Sequence, residues 1–132
     1  MKNMGIQIKR SEHEMQKAIF AWARCYEKQV DGLELMFAIP NGGHRRKSTA
    51  ARLKAEGVKP GVSDICLPVA RGGYHGLFAE CKVGKNRLRK NQADFLESMG
   101  RQGYFTAVWW TFDQAKSNIV NYLSGAIRRG GK

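Results

Sequence analysis

The stretch GLFAECKVG, residues 76–84, sets an acid and an ammonium two positions apart, at Glu80 and Lys82. Side chains alternate faces along a strand, so Leu77, Ala79, Cys81 and Val83 would share one face and Phe78, Glu80 and Lys82 the other. Upstream, GVSDICLPV places Asp64 at the start of a second short apolar run. Between the two, Arg71-Gly72-Gly73 has the residues of a hairpin turn. Antiparallel pairing across that turn would bring Asp64 near Glu80, because neighbouring strands lie about 5 Å apart. Two carboxylates at that separation repel unless one is protonated or a divalent cation bridges them. Mg²⁺ or Mn²⁺ held there would polarise a phosphate and acidify a water. Lys82, on the same face, could orient that water or stabilise the charge that builds up in the transition state.

No single member carries that reading alone. Eleven acids and twelve lysines in 132 residues make about one acid-x-Lys expected by chance, and the chain has one. Asp64 could simply cap a turn, and Glu80 with Lys82 could be a surface ion pair worth under about 1 kcal/mol. The charge balance adds weight. A formal +12 favours a polyanionic partner, usually nucleic acid. The cations cluster at His44-Arg45-Arg46-Lys47, at Arg52 and Lys54, at Lys85-Asn86-Arg87-Leu88-Arg89-Lys90 and at Arg128-Arg129. The inner clusters bracket Asp64, Glu80 and Lys82. A non-catalytic nucleic-acid-binding module would explain the charge, but its acids would then repel phosphate. A metal removes that conflict.

Other chemistries fit less well. Cys25, Cys66 and Cys81 are odd in number and form no CxxC, which argues for buried thiols in a reducing compartment. HEMQK at 13–17 starts like a zinc-protease HExxH, but Lys17 stands where the second histidine belongs. No run of 18 apolar residues is present, and MKNMGIQIKR lacks the apolar core of a signal peptide. The expectation is a cytoplasmic protein with no membrane partner.

The elements that must position these residues can be read from periodicity. Residues 11–29 read as an amphipathic helix, with Ser11 as N-cap and Glu14 completing a capping box. Met15, Ala18, Ile19, Trp22, Ala23 and Tyr26 form its apolar stripe, with Glu12 and Gln16 at the edge. LELMFAI (33–39) reads as a strand ending at Pro40-Asn41-Gly42-Gly43, and 48–56 as a short helix stopped by Gly57. Strands follow at 65–69 and around Glu80, then a helix at 88–99, a buried strand at 104–110 and a helix at 111–123, before a frayed basic tail over 124–132. The order α-β-short α-β-β-α-β-α makes one α/β domain, a mixed β-sheet flanked by helices. Trp109-Trp110 could serve an interface, although core packing of at least one fits the strand better.

Taken together, SEHEMQ, IPNGGHRR, GVSDICL, GLFAECKVG and NQADFLESMGRQGY resemble the virus-type replication-repair nuclease (VRR-NUC) family of the PD-(D/E)XK superfamily, over roughly residues 11–122. The resemblance implies a restriction-endonuclease-like core. It implies that Asp64 and Glu80 bind a catalytic Mg²⁺ or Mn²⁺, that Cys81 fills the variable position and that Lys82 is the catalytic lysine. Gln92 matches the glutamine on the next helix. The helical glutamate maps to the first helix, where Glu12 fits by its edge position and Glu14 stays an alternative. Ser63 departs from the proline of the superfamily name.

The implied function is metal-dependent DNA endonuclease activity, with water attacking the phosphodiester in line. Asn41, His44, Arg45, Arg46 and Lys47, with Lys85, Arg87, Arg89 and Lys90, would grip the phosphate backbone without reading bases. Structure-specific cutting of branched DNA or four-way junctions is then expected over sequence-specific restriction, for which the chain has no added recognition domain. Stand-alone relatives resemble junction resolvases, so a homodimer is an open alternative to a monomer.

Overall fold

A computed structural model describes residues 11–40 and 47–130. Helix α1 (Glu12–Tyr26) leads through a single 3-10 turn (Leu33–Leu35) into β1 (Phe37–Ala38). Helix α2 (Lys47–Ala55), the β2–β3 hairpin (Ile65–Leu67 and Leu77–Cys81), α3 (Lys90–Arg101), β4 (Phe105–Trp109) and α4 (Phe112–Leu123) follow. The four strands lie in the order β1-β2-β3-β4. The first three are antiparallel, and β4 joins β3 in parallel. A parallel pair needs a crossover, and α3 supplies it. This is the α/β order expected from the sequence.

Alternation splits the sheet into two different faces. Ile65, Leu67, Leu77, Ala79, Cys81 and Trp109 are buried on one side with Met15, Ile19 and Ala23 of α1 and Ala115, Ile119, Tyr122 and Leu123 of α4. That layer is the hydrophobic core. Two polar ties fasten it: the Trp109 indole N–H donates to Asn118 Oδ1 (2.9 Å), and the Tyr122 hydroxyl donates to the Val69 carbonyl (2.7 Å). Helix α3 packs on the opposite side, where Phe95 meets Phe78 edge-on at 5.4 Å between ring centroids.

Several local expectations need correction. LELMFAI is mostly not a strand. Gly32 turns the chain at φ +93°, Leu33 is buried as an anchor, and the Met36 N–H returns to the Leu33 carbonyl, leaving only Phe37–Ala38 extended. In α1, Ala18 and Tyr26 are exposed, so the buried stripe narrows to Met15, Ile19 and Ala23 with Trp22 half-buried. The helix expected at 88–99 starts two residues later and runs to Arg101. As far as Gly130, the tail is not frayed: Ile127 packs against the core, and the Arg129 N–H donates to Gly72 O (2.8 Å) at the hairpin turn. Trp109 is buried, whereas Trp110 is 38% exposed.

Two glycines in the approach to β2 separate backbone strain from close packing. Gly57 (φ +100°) ends α2 with open space where a Cβ would stand. At Gly61 (φ +91°) a Cβ would sit 2.8 Å from the Asn91 carbonyl oxygen in the first turn of α3. The left-handed conformation alone costs a side chain about 1–2 kcal/mol. Gly57→Ala is therefore expected to lose about that much stability, and Gly61→Ala about 3 kcal/mol, because the loop must also move off α3. Urea unfolding of the two variants measures the difference.

Candidate active site

The β2–β3 register brings the two acids face to face. Ile65 pairs with Ala79, so the next position along the ladder sets Asp64 opposite Glu80 on the same side of the sheet. Asp64 is held from both directions. Its carbonyl accepts the Ile39 N–H at 2.7 Å, and its Oδ2 accepts the Cys81 N–H at 2.8 Å. Glu80 is 3% exposed, and its Oε2 accepts from Gln92 Nε2 at 2.9 Å. The other oxygen, Oε1, is buried, and no described residue donates to it.

That arrangement is electrostatically costly. Burial, reinforced by the neighbouring Asp64 charge, pushes the Glu80 carboxyl up to about 8, against a partial pull downward from Lys82. Asp64 is also raised by burial, with the Cys81 N–H opposing the rise. At neutral pH the pair therefore keeps a proton on Glu80. A hard divalent cation could replace that proton: it would meet the orphaned Oε1 and take up both negative charges. The donor set fits Mg²⁺ or Mn²⁺ with positions to spare for water and phosphate. Among the described residues, however, no group of three or more His, Cys, Asp or Glu side chains could hold a metal. The protein side of such a site is this pair.

Lys82 continues the same face and is 4% exposed, so the Glu80–Lys82 pair does not lie on a solvated surface. Its backbone N–H extends the ladder to Trp109 O (3.0 Å), and its charge lowers both carboxyls. It makes no ion pair among the described residues.

Gln92 belongs to the cap of α3 as well as to the acid pair. Its Oε1 accepts the Arg89 N–H at 2.9 Å while its Nε2 holds Glu80. The two candidate helical acids separate cleanly. Glu12 is half-buried, accepts from Asn86 Nδ2 (3.0 Å) and adds its charge to the upward shifts of both carboxyls. Glu14 is exposed, with its N–H on the Ser11 cap and its side chain 3.8 Å from Lys17.

Asp64, Glu80, Lys82, Glu12 and Gln92 thus converge. Lys85, Arg87, Arg89 and Lys90 are exposed in the segment from β3 into α3, with Lys90 tied to Asp94 at 2.9 Å. Lys47 is exposed at the start of α2, and Asn41, His44, Arg45 and Arg46 lie outside the described residues. Sequence reasoning passed over Asn86. Its contact with Glu12 spans 74 positions, and an asparagine inside a basic run carries no signal for it. Cys81, between Glu80 and Lys82, points into the core, where burial and the nearby acids push its thiol strongly up. Cys66 is raised by burial too, while Cys25 is exposed.

The raised Glu80 carboxyl has a signed consequence. Between its ordinary value near 4.5 and about 8, the folded protein keeps a proton that the unfolded chain releases. Stability must therefore fall as pH rises through that window. Glu80→Gln should flatten the decline and melt higher than wild type at pH 8, by on the order of 5 °C. Mg²⁺ or Mn²⁺ should raise the wild-type melting temperature at pH 8 and leave the variant unmoved. Thermal melts over pH 4–9, with and without metal, check both.

Comparison with known proteins identifies the family and the fold. The VRR-NUC domain family matches residues 5–110. A solved VRR_NUC domain protein superposes with a TM-score of 0.72 at 28% sequence identity, covering 86% of this chain and 88% of that one. Among curated proteins, no sequence match is found. With the match spanning most of its length and the fold shared, the chain belongs to the VRR-NUC family of nuclease domains.

Proposed function

We propose that the protein is a metal-dependent DNA endonuclease that hydrolyses phosphodiester bonds in branched DNA or four-way junctions. The observation that carries this reading is the buried Asp64–Glu80 pair, with one oxygen lacking any donor, beside the buried ammonium of Lys82. A structural ion pair would set a cation on that oxygen, whereas here the two carboxyls hydrogen-bond to each other and both are raised. A bound Mg²⁺ or Mn²⁺ would supply Lewis-acid polarisation of the phosphate and a more acidic water.

The protein's own groups do the rest. Asp64 and Glu80 would hold the metal, and in its absence Glu80 keeps a proton at neutral pH. Gln92 fixes the Glu80 carboxyl from α3. Lys82 directs its ammonium at the scissile phosphate, where it orients the attacking water and stabilises the charge of the transition state. Glu12, steadied by Asn86, is the third acid of the catalytic set. Lys47, Lys85, Arg87, Arg89 and Lys90 hold the backbone together with Asn41, His44, Arg45 and Arg46. A homodimer would present two such sites to the two strands of a symmetric junction. The setting is the cytoplasm of a bacterial or phage-infected cell.

The test is cleavage of end-labelled four-way junction, flap and linear duplex DNA with Mg²⁺ or Mn²⁺. Wild type is expected to cut, to stop in EDTA and to prefer a branched substrate. Lys82→Ala should lose about 10²–10³-fold in rate while still binding DNA. Salt-sensitive binding with no cutting of any DNA in either metal would instead make the chain a non-catalytic nucleic-acid-binding module. The basic residues make a separate, quantitative expectation. Arg87→Ala should weaken binding to every DNA alike and reduce the slope of log K against log salt by about 0.9, measured by fluorescence anisotropy from 50 to 200 mM salt.

A further inference from the structure

Phe37 sits in the edge strand β1 and is 48% exposed, two residues after Leu35 at 50%. Register decides which way it faces. Phe37 pairs with Cys66, and Cys66 pairs with Phe78, so all three share the face that carries Asp64 and Glu80. Two positions further along β1, the Ile39 N–H donates to the Asp64 carbonyl. Phe37 and Asp64 are therefore diagonal neighbours of an antiparallel pair, about 7–8 Å apart. At the other end of that row, Phe78 is covered by Phe95 and Tyr104. Among the described residues no aromatic ring packs on Phe37.

We propose that Phe37 is a stacking platform for a nucleobase of the substrate strand beside the scissile phosphate. The inference rests on the nuclease reading above and narrows its substrate. A phosphate held at the carboxyl pair leaves an adjacent base within reach of a ring at this distance. The faces of a paired base are occupied by its neighbours in the stack, so only an unpaired base can use the platform, as at a flap, a splayed arm or a frayed end. The net charge of +12 favours this occupant over a second copy of the chain, since two such surfaces repel and a polyanion is attracted.

The experiment is metal-free binding, in EDTA, of a flap DNA and a blunt duplex to wild type, Phe37→Ala, Phe37→Leu and Phe37→Trp. Melting temperatures confirm that each variant folds, and sedimentation velocity follows its oligomeric state. Stacking requires that Ala and Leu weaken flap binding roughly 5- to 100-fold with duplex binding within about twofold of wild type, and that Trp restores it. Equal flap affinity across the series overturns the proposal, as does a Leu variant that binds like wild type. A loss shared by both DNAs, or a change in sedimentation coefficient, also overturns it and assigns the ring to contact between copies. Cleavage by wild type in Mg²⁺, run in parallel, keeps the two readings apart. Failure there removes the nuclease, while the metal-free affinities decide the stacking.

Discussion

Two carboxyl groups forced to face each other across a short hairpin are the constraint on which the rest of this structure depends. Nothing in a β-ladder requires the pairing of Asp64 with Glu80, and like charges directly opposite each other destabilise a sheet. The fold carries the cost because neighbouring groups offset part of it. The Cys81 N–H satisfies one oxygen of Asp64, Gln92 satisfies one of Glu80, and Lys82 adds a nearby positive charge. No donor reaches Glu80 Oε1 among the described residues, and the two carboxyls hydrogen-bond to each other. Burial, which disfavours the charged form of each, raises both carboxyls.

The supporting elements are arranged around that pair. The core side of the sheet, packed by α1 and α4, fixes β3 rigidly, so alternation alone turns Glu80 and Lys82 to the other side. Helix α3 then reaches the pair through its own N-terminus, because the residue that caps it also binds Glu80. Gly61 lets the segment leading into Asp64 lie directly against the first turn of the same helix. Asp64, Glu80 and Gln92 are thus referenced to one another through backbone packing. The basic run from Lys85 to Lys90 spans the same junction between β3 and α3, which keeps its positive charge next to the acids.

Much of this was legible in the sequence because it follows from local rules. The hairpin at Arg71-Gly72-Gly73, the stop at Gly57 and the alternation through GLFAECKVG each depend on a few neighbouring residues, and together they bring Asp64 to Glu80. The edge position of Glu12 followed from helical spacing. Where long-range packing decides, the sequence was silent. LELMFAI has strand composition, yet burial of Leu33 beneath the Gly32 turn consumes half of it. Trp109 and Trp110 are the same residue type side by side, and only the register of β4 decides which is buried. The bridge from Asn86 to Glu12 joins distant segments with no pattern to announce it. Charge clusters indicated a partner class, whereas the Lys90–Asp94 pair follows from i,i+4 spacing on the helix.

The burial of Cys81 between the acid and the lysine reaches into a different kind of chemistry. A thiolate, not a thiol, is what electrophiles and oxidants attack. Cys81 is held as a thiol in the core and Cys66 is buried on the opposite face of the sheet, while Cys25 stands in solvent on α1. The chain therefore carries a built-in reactivity order among its three cysteines. A maleimide dye or crosslinker would attach at Cys25 first, giving a singly labelled protein without mutagenesis and without touching the strand on which the acid pair is built.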